Sequence, residues 1–171
     1  MPQRTPAVLT AAETALALPY PALARQIEAV LRDPAVVVPP RIVQPLPGGG
    51  SLFVMPATDA RVAITKLITF TPGNASRNLP SIQGDIVVFD VVTGSRMAIL
   101  DGPTVTARRT AAVSLLAAQK LARRTDGPLL IVGAGVQGRS HLEAFHPGLG
   151  LQEVWVASRN PDRADPSVEP A

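Results

Sequence analysis

Apolar residues recur at helical spacing near the start of the chain, between residues 11 and 33. This spacing predicts a helix with one apolar face, since residues three and four apart lie on the same side of a helix. Pro19 and Pro21 interrupt the pattern, because a proline inside a helix removes a backbone hydrogen bond and clashes with the preceding turn. We therefore expect two short helices. The apolar stripe of the second is formed by Leu23, Ile27, Val30 and Leu31.

The period then shortens to runs of β-branched residues bounded by proline and glycine. This pattern predicts a strand, a turn and a strand across residues 36–57, and a further strand at 61–70. Residues 71–84 are polar and rich in glycine and proline, which predicts a loop. Residues 85–102 predict a hairpin around a Thr-Gly-Ser turn. The first hundred residues are therefore expected to be α+β, with mostly antiparallel strands.

A second change of period follows the hairpin. An alanine-rich helix with Pro103 in its first turn is predicted over 102–124, and it ends before an Asp-Gly-Pro turn. An apolar strand at 129–132, a glycine-rich turn, a helical pattern and a strand at 153–164 come next. This order is typical of the start of a dinucleotide-binding domain.

The chain is therefore expected to hold two unequal domains, and the predicted fold class is α/β. An α+β domain occupies residues 1–125, and the first β-α-β unit of a Rossmann domain occupies residues 126–171. A complete dinucleotide domain needs about 150 residues of alternating strands and helices, so this Rossmann domain is predicted to be incomplete. The chain turns polar and proline-rich where the next helix would begin, which indicates a truncation or an altered reading frame.

Composition narrows the class of protein. Of the 171 residues, 46% are hydrophobic, which is enough apolar material for a globular core. The pattern contains neither a membrane-spanning run nor a secretory signal, so no membrane partner is expected. The absence of cysteine excludes thiolate metal sites and agrees with a cytoplasmic location. The net charge is only +3 and the arginines are scattered, so no nucleic-acid partner is expected either.

The turn that follows the apolar strand matches the G-x-G-x-x-G fingerprint of dinucleotide-binding turns. Gly133 allows the tight turn, Gly135 lets the backbone approach a pyrophosphate, and Gly138 lets the helix pack on the strand. Backbone N–H groups at the helix start, including those of Val136 and Gln137, would face the phosphates. The motif is also compatible with a plain glycine-rich turn. The strand before it and the helical pattern after it favour a cofactor site.

The end of the second Rossmann strand indicates which cofactor is preferred. Sites that prefer NAD place an acidic residue there to bind the ribose 2′-hydroxyl. Here the position holds Ser158, Arg159 and Asn160, with no carboxylate. A hydroxyl and a guanidinium suit a 2′-phosphate, so NADPH is expected rather than NADH. The alternative is that Arg159 is a surface arginine in a loop.

Cations stand among apolar segments at three places. Lys66 lies inside the strand at 61–70, Arg41 lies at the start of a strand, and the pair Arg108 and Arg109 lies on the long helix. Converging cations would form a pocket for an anionic small molecule such as a carboxylate. Each cation could instead be a surface or ion-paired residue, with Lys66 on an edge strand. Helical spacing does not choose between the two arginines.

Several segments, taken in order, resemble the ornithine cyclodeaminase/mu-crystallin family. They are KLITF at 66–70, NLPSIQG at 78–84, MAILDG at 97–102, TARRTAAVSLLAAQKLA at 106–122 and GAGVQGRSHLEAF at 133–145. Within the family, the sequence is most similar to bacterial ketimine reductases. The resemblance implies an NAD(P)H-dependent enzyme that reduces Δ1-pyrroline-2-carboxylate to L-proline or Δ1-piperideine-2-carboxylate to L-pipecolate.

The resemblance also implies roles for individual residues. The family's ligands of the substrate carboxylate match Arg41, Lys66 and Arg109. This match selects Arg109 over Arg108. Ser81 matches a position near the nicotinamide, the glycine turn matches the pyrophosphate site, and Ser158 with Arg159 matches the adenosine ribose position. Lys66 would also act as a catalytic residue by supplying the proton that the imine needs.

The family pairs a substrate and dimerisation domain with a Rossmann domain, so a homodimer is expected for a full-length protein. Members run to a little over 300 residues and carry an acid/base aspartate beyond the reach of this sequence. The resemblance therefore implies activity for a full-length protein and leaves open whether this chain is an inactive fragment. Two alternatives stay open: an ornithine cyclodeaminase, which converts L-ornithine to L-proline and ammonia, and a non-catalytic ligand-binding protein of the mu-crystallin type. The lack of an acidic residue at Ser158 argues against the cyclodeaminase, since tightly held NAD would favour one there.

Overall fold

A computed structural model describes residues 7–159 of the chain. Contacts between residues divide the chain into two compact units. The first contains the residues up to Ala17 together with Val30–Val105, and the second contains Leu18–Ala29 together with the residues from Thr106 onward. Two of the boundaries between the units, after Ala29 and after Val105, fall inside helices. Each of these two helices therefore contributes residues to both units.

The first unit contains a six-stranded sheet. Its elements are β1 (Ala7–Val8), α1 (Ala11–Ala17), β2 (Ile42–Leu46), β3 (Gly50–Thr58), β4 (Val62–Phe70), a 3-10 helix (Pro72–Arg77), β5 (Ile82–Asp90) and β6 (Arg96–Asp101). The strand order is β1-β6-β5-β4-β3-β2. Neighbouring strands are antiparallel except for β1 and β6, which are parallel. The expected α+β arrangement with mostly antiparallel strands is confirmed.

The loop predicted over residues 71–84 has more structure than its composition indicates. It contains the 3-10 helix, and β5 already begins at Ile82. The backbone N–H of Thr71 donates to the Ser81 carbonyl at 2.8 Å, and the buried Asn74 side-chain amide donates to the Pro80 carbonyl at 2.9 Å. These bonds tie the two ends of the segment together, so a polar segment rich in proline is nevertheless folded.

The buried side chains of the sheet lie on the same face as Lys66. Alternate residues of a strand share a face, so Ile64, Lys66 and Ile68 of β4 point the same way. Ile86 of β5 lies directly opposite Lys66, and Ile68 and Ile86 are each 6% exposed. Because β4 is paired on both sides, Lys66 lies on a central strand. The alternative of an edge-strand lysine is therefore wrong.

The second unit contains three helices and two strands. They are α2 (Tyr20–Arg32), α3 (Gly102–Leu121) from Thr106 onward, β7 (Leu129–Val132), α4 (Val136–Leu149) and β8 (Val154–Ala157). The strands β7 and β8 are parallel and α4 connects them, so the predicted first β-α-β unit is confirmed. The helices share a core made of Tyr20, Ala24, Ala111, Ala112, Leu115, Leu116 and Ala144. Its small alanines let the helices approach closely.

The start of α3 follows from its sequence. The Asp101 side chain accepts a hydrogen bond from the Thr104 backbone N–H at 2.8 Å, as a helix N-cap does. Pro103 occupies the first turn, where its missing N–H costs nothing. The Asp101 N–H in turn donates to the hydroxyl of the fully buried Thr14 on α1 at 3.2 Å. These contacts fix the start of α3 directly after the end of β6.

The apolar stripe predicted for α2 is only partly correct. Its first half packs on the core, but Val30 and Leu31 are 45% and 74% exposed. The buried residues of the helix are Tyr20 and Ala24. The true stripe runs through positions 20, 23, 24 and 27, which is the i, i+3, i+4, i+7 spacing shifted one turn towards the helix start. The prediction missed this shift because it started the stripe after the second proline.

The compact units do not follow the predicted division at residue 125. Most of α2 and α3 groups with the β-α-β unit, because both helices pack on α4 through the shared core. The division into residues 1–125 and 126–171 concerns substrate and cofactor roles, and in that sense it stays a prediction.

Candidate functional site

The glycine turn between β7 and α4 has the geometry that a dinucleotide turn requires. Gly133 has a φ of +113°, which side chains rarely permit, and its N–H donates to the Ala157 carbonyl of β8 at 2.7 Å. A Cβ added at Gly138 would collide with the Gly133 carbonyl oxygen, so the helix approaches the turn only without a side chain there. A Cβ at Gly135 would meet nothing within 4 Å. The space in front of Gly135 is therefore open to a ligand.

The start of α4 suits the phosphates of a dinucleotide. The helix begins at Val136 directly after Gly135, with no acidic residue in its first turn. The first backbone N–H groups of a helix have no intrahelical partner and carry a partial positive charge, which attracts anions. Val136 and Gln137 are exposed, so their N–H groups stand at an accessible helix end. The chain thus fits a bound pyrophosphate at the place where the fingerprint predicts one.

Ser158 and Arg159 lie at the same edge of the two-stranded sheet as the glycine turn. The parallel register pairs Val132 with Ala157, so the residues that follow each strand emerge side by side. Both Ser158 and Arg159 are exposed. The structure therefore brings together the predicted pyrophosphate and ribose positions within the second unit. Asn160, the third residue of the predicted ribose position, lies outside the described residues.

Arg41 lies directly before β2, and extending the strand register places it in the row of Lys66 in the first unit. Ile42 pairs with Val54, and Met55 pairs with Lys66. Continuing the first register by one residue sets Arg41 opposite Met55, on the same face as Lys66. Neighbouring strands lie about 4.8 Å apart, so the two cation backbones are separated by about 10 Å. By this register Met55 lies between the two cations on the same face, and their joint binding of one small carboxylate stays a prediction.

The surroundings of Lys66 are mainly apolar. Its neighbours on the same face are Ile64 and Ile68 along β4 and Ile86 across the strand pair. The side chain itself is half-buried. The apolar neighbours place the stem of Lys66 in surroundings that suit its methylene groups.

The two neighbouring arginines of α3 lie in different surroundings. Arg108 is half-buried, and its Nε donates to the Leu18 carbonyl at 2.7 Å. Its guanidinium lies 3.9 Å above the Tyr20 ring centroid and 3.9 Å from the Glu143 carboxylate. Arg109 is exposed. The helix core therefore engages Arg108 and leaves Arg109 exposed, and the ligand role of Arg109 stays a prediction. Arg109 belongs to the second unit, whereas Arg41 and Lys66 belong to the first.

Ser81 does not lie in the row of Lys66. It is half-buried directly before β5, and five positions separate it from Ile86, the residue opposite Lys66. Five residues of strand span about 17 Å. The 71–81 segment holds Ser81 in place through its Thr71 and Pro80 hydrogen bonds. Its predicted role near the nicotinamide stays a prediction.

Sequence reasoning missed two polar groups of the second unit. The phenol of Tyr20 contacts Ser140 and Glu143 of α4, and burial raises the pKa of this phenol. His141 Nε2 lies 2.9 Å from the Ser114 hydroxyl of α3. These contacts join residues 27 to 123 positions apart, and no local pattern signals such pairs. Helical spacing alone could have indicated only that these residues share the inner faces of their helices.

A cleft of about 290 Å³ runs along β7 and α4. Its lining residues are Leu129, Leu130, Ile131, Val132, Gln137, Gly138, His141 and Phe145. The cleft includes the side of the glycine turn. Within residues 7–159, no cluster of three or more His, Asp or Glu side chains could hold a metal ion, and no helix is long and apolar enough to cross a membrane.

Comparison with known proteins identifies the family. Residues 4–169 match the ornithine cyclodeaminase/mu-crystallin family. The chain is 46% identical to Delta(1)-pyrroline-2-carboxylate reductase 1 of Burkholderia multivorans over 145 residues, which are 83% of this chain and 46% of that protein. The chain therefore spans about half the length of the curated relatives that it matches.

Two solved structures share the fold. An archaeal alanine dehydrogenase dimer with bound NAD has a TM-score of 0.81 and 26% identity, over 93% of this chain and 50% of that one. The Delta(1)-pyrroline-2-carboxylate reductase of Thermococcus litoralis, in complex with NADH and L-proline, has a TM-score of 0.67 and 27% identity, over 91% and 47%. With these matches, the chain belongs to the ornithine cyclodeaminase/mu-crystallin family.

Proposed function

We propose that this protein serves the NAD(P)H-dependent reduction of cyclic ketimine acids, Δ1-pyrroline-2-carboxylate to L-proline and Δ1-piperideine-2-carboxylate to L-pipecolate. The observation that carries the proposal is the dinucleotide turn, with Gly133, open space at Gly135 and a helix start free of acidic residues. The Burkholderia relative acts on the first of these substrates by name. The structure of the Thermococcus relative contains NADH and L-proline.

We propose NADPH as the preferred cofactor. A 2′-phosphate carries two negative charges that a carboxylate would repel and a guanidinium would bind. Arg159 supplies the guanidinium and Ser158 a hydroxyl, at the edge of the sheet where the glycine turn lies. The backbone N–H groups of Val136 and Gln137 would hold the pyrophosphate. NADH would bind with fewer charged contacts and therefore more weakly.

The substrate carboxylate is assigned to three cations. Arg41, Lys66 and Arg109 would bind it and fix the ring in one orientation, which removes the entropy cost of finding the reactive geometry. A bound reduced nicotinamide supplies the hydride for the imine carbon. Lys66 would hold a proton on Nζ and pass it to the imine nitrogen, because a protonated imine is the better electrophile. The isoleucines around Lys66 would keep water away from this step.

We also propose that the functional form is a homodimer located in the cytoplasm. The alanine dehydrogenase with the same fold is a dimer. On the sheet face opposite Lys66, Ile42 and Leu67 are 59% and 39% exposed and lie in one row with Val54 between them. An apolar sheet face of this kind favours association with a second copy.

The proposed function is tested with a panel of substrates. Purified protein is supplied with NADPH and either cyclic ketimine acid, or with NAD and L-ornithine, and amino-acid products and ammonia are measured. We expect L-proline or L-pipecolate and oxidised cofactor from the ketimines. Ammonia released from L-ornithine would instead indicate a cyclodeaminase, and tight ketimine binding without any product would indicate a non-catalytic ligand-binding protein.

A further inference from the structure

A buried hydrogen-bond chain joins the three helices of the second unit close to the glycine turn. Tyr20 of α2 is 5% exposed, and its phenol oxygen lies 2.7 Å from the Ser140 hydroxyl and 3.0 Å from the Glu143 carboxylate of α4. We propose that Tyr20 is a positioning residue, which fixes the cofactor-binding start of α4 relative to the arginine pair of α3. This inference rests on the proposed nicotinamide cofactor.

The direction of the hydrogen bonds follows from the groups involved. An ionised carboxylate can only accept, so the Tyr20 phenol donates its single proton to Glu143. The phenol oxygen then accepts a proton from the Ser140 hydroxyl, which is itself 4% exposed. Each of the two α4 residues therefore needs the same phenol oxygen. Removing that one atom leaves a buried hydroxyl without its acceptor and a carboxylate without its donor.

Arg108 holds the Tyr20 ring from the other side. Its guanidinium lies over the ring at 3.9 Å, and its Nε donates to the carbonyl of Leu18, two residues before the tyrosine. The guanidinium also lies 3.9 Å from Glu143. One arginine thus contacts the ring, the chain leading to α2 and the carboxylate of α4.

This arrangement connects two candidate ligand groups within one unit. Ser140 follows Gly138 by two residues, so it lies in the part of α4 directly after the proposed phosphate-binding turn. Arg108 precedes Arg109, the proposed carboxylate ligand, on α3. The phenol therefore sets the distance between the cofactor turn and Arg109. Since Tyr20 touches neither group, its effect on binding passes through Ser140 and Arg108.

The test replaces Tyr20 with Phe, which removes the phenol oxygen and keeps the ring beneath Arg108. Equilibrium binding of NADPH and the melting temperature are measured for the wild type, for Tyr20→Phe and for Ile27→Val. The last is a control on the same helix, which packs on the same core and makes none of the hydrogen bonds of the chain. We expect Tyr20→Phe to weaken NADPH binding about fivefold, the equivalent of one lost hydrogen bond. Ile27→Val should lower the melting temperature with the NADPH affinity unchanged.

Ser140→Ala serves as a second variant and should weaken NADPH binding in the same direction. Faster amide hydrogen exchange at residues 136–140 in Tyr20→Phe is expected as a readout that does not depend on activity. No NADPH binding by the wild type would contradict the proposed cofactor. Wild-type binding that both variants retain in full would overturn the positioning role of Tyr20. Equal weakening by Ile27→Val would overturn it as well, because the effect would then follow stability alone.

Discussion

Adjacent arginines on one helix can have unrelated tasks. Arg108 and Arg109 are neighbours on α3, yet the first is engaged by Leu18, Tyr20 and Glu143 and the second is exposed. Successive residues of a helix are turned by about 100°, so the core can take one and leave its neighbour outward. Sequence spacing did not separate the two. The contacts of Arg108 with α2 and α4 supply the physical reason to choose Arg109 as the ligand.

Substitution of each arginine should therefore change a different quantity. Arg109→Ala is expected to raise the KM for the cyclic ketimine acid by about tenfold or more, because a charge-assisted contact to the carboxylate is lost. Its melting temperature should stay close to that of the wild type. Arg108→Ala should lower the free energy of unfolding by about 1–3 kcal/mol, since it leaves the Leu18 carbonyl without its donor and removes the cation above the Tyr20 ring. Steady-state kinetics and thermal unfolding of both variants distinguish the roles, and a reversed pattern contradicts the assignment.

Arg159 decides the choice of cofactor if it binds the 2′-phosphate. Arg159→Ala should raise the Kd for NADPH by about tenfold and leave the Kd for NADH nearly unchanged, because NADH lacks the phosphate. The control is Arg96→Ala on β6, which removes the same charge from an exposed arginine of the other unit. Equal loss of both cofactors in Arg159→Ala, or an equal effect of Arg96→Ala, would show that the arginine acts only through overall charge.

At the scale of single residues, the sequence predicted what local patterns encode. The glycines of the turn follow from a fingerprint, and their backbone φ and contacts fit it. Tyr20 and Asn74 were not predicted, because their partners depend on tertiary contacts or on a fold within the loop. A buried tyrosine or asparagine looks the same in the sequence as an exposed one.

At the scale of elements, the 71–81 segment has the composition of a loop, but internal hydrogen bonds fix its backbone. Its buried Asn74 side chain donates to the Pro80 carbonyl, and its backbone carbonyl accepts from the Leu79 N–H at 3.0 Å. Asn78 adopts a left-handed conformation with a φ of 55°. Together these features fix the backbone directly before Ser81.

Asn74→Ala should therefore destabilise the protein. The substitution removes the amide that donates to the Pro80 carbonyl and leaves the Gln83 side-chain amide, 3.4 Å away, as its donor. A loss of about 1 kcal/mol in the free energy of unfolding is expected, as for one hydrogen bond. Asn78→Gly is the control, since glycine adopts the left-handed conformation without penalty and should leave stability almost unchanged. Denaturant unfolding measures both. A stable Asn74→Ala variant would mean that the loop does not depend on this amide.

The strands and turns were predicted well because their signals are local. Alternating and β-branched runs, Gly-Gly-Gly and Thr-Gly-Ser sufficed for β2 to β6. The buried stripe of α2 was misplaced by one turn, because packing on α3 and α4 selects Tyr20 and Ala24. The helix α3 ends at Leu121, whereas it was predicted to extend to residue 124. A difference of three residues is common at helix ends, which fray readily.

For the whole molecule, the two-stranded parallel sheet leaves much apolar surface uncovered. Leu130 and Val132 of β7 are 57% and 81% exposed, and Trp155 and Val156 of β8 are 56% and 39% exposed. Parallel strands are usually covered on both faces. The 171-residue chain should therefore bind an apolar dye or associate with itself, and Trp155, the single tryptophan, should emit as an exposed indole in the monomer.

Dye binding, size-exclusion chromatography and tryptophan emission test this prediction. Val132→Thr should reduce dye binding, since it replaces an exposed apolar side chain by a polar one of similar shape. Val113→Thr is a matched control on α3, where the valine is also exposed but stands apart from the sheet. A monomer that binds no dye would contradict the expectation. The division of the chain into two compact units could not be predicted from the sequence, because it depends on which helices pack on α4.

The central claim is that the glycine turn and the cations serve one reduction. The most direct measurement supplies the purified protein with NADPH and Δ1-pyrroline-2-carboxylate and follows cofactor oxidation and L-proline together. The account predicts one L-proline formed for each NADPH oxidised, with the rate lost in Lys66→Ala. L-proline formation that continues at the wild-type rate in Lys66→Ala, or NADPH oxidation without L-proline, would contradict it.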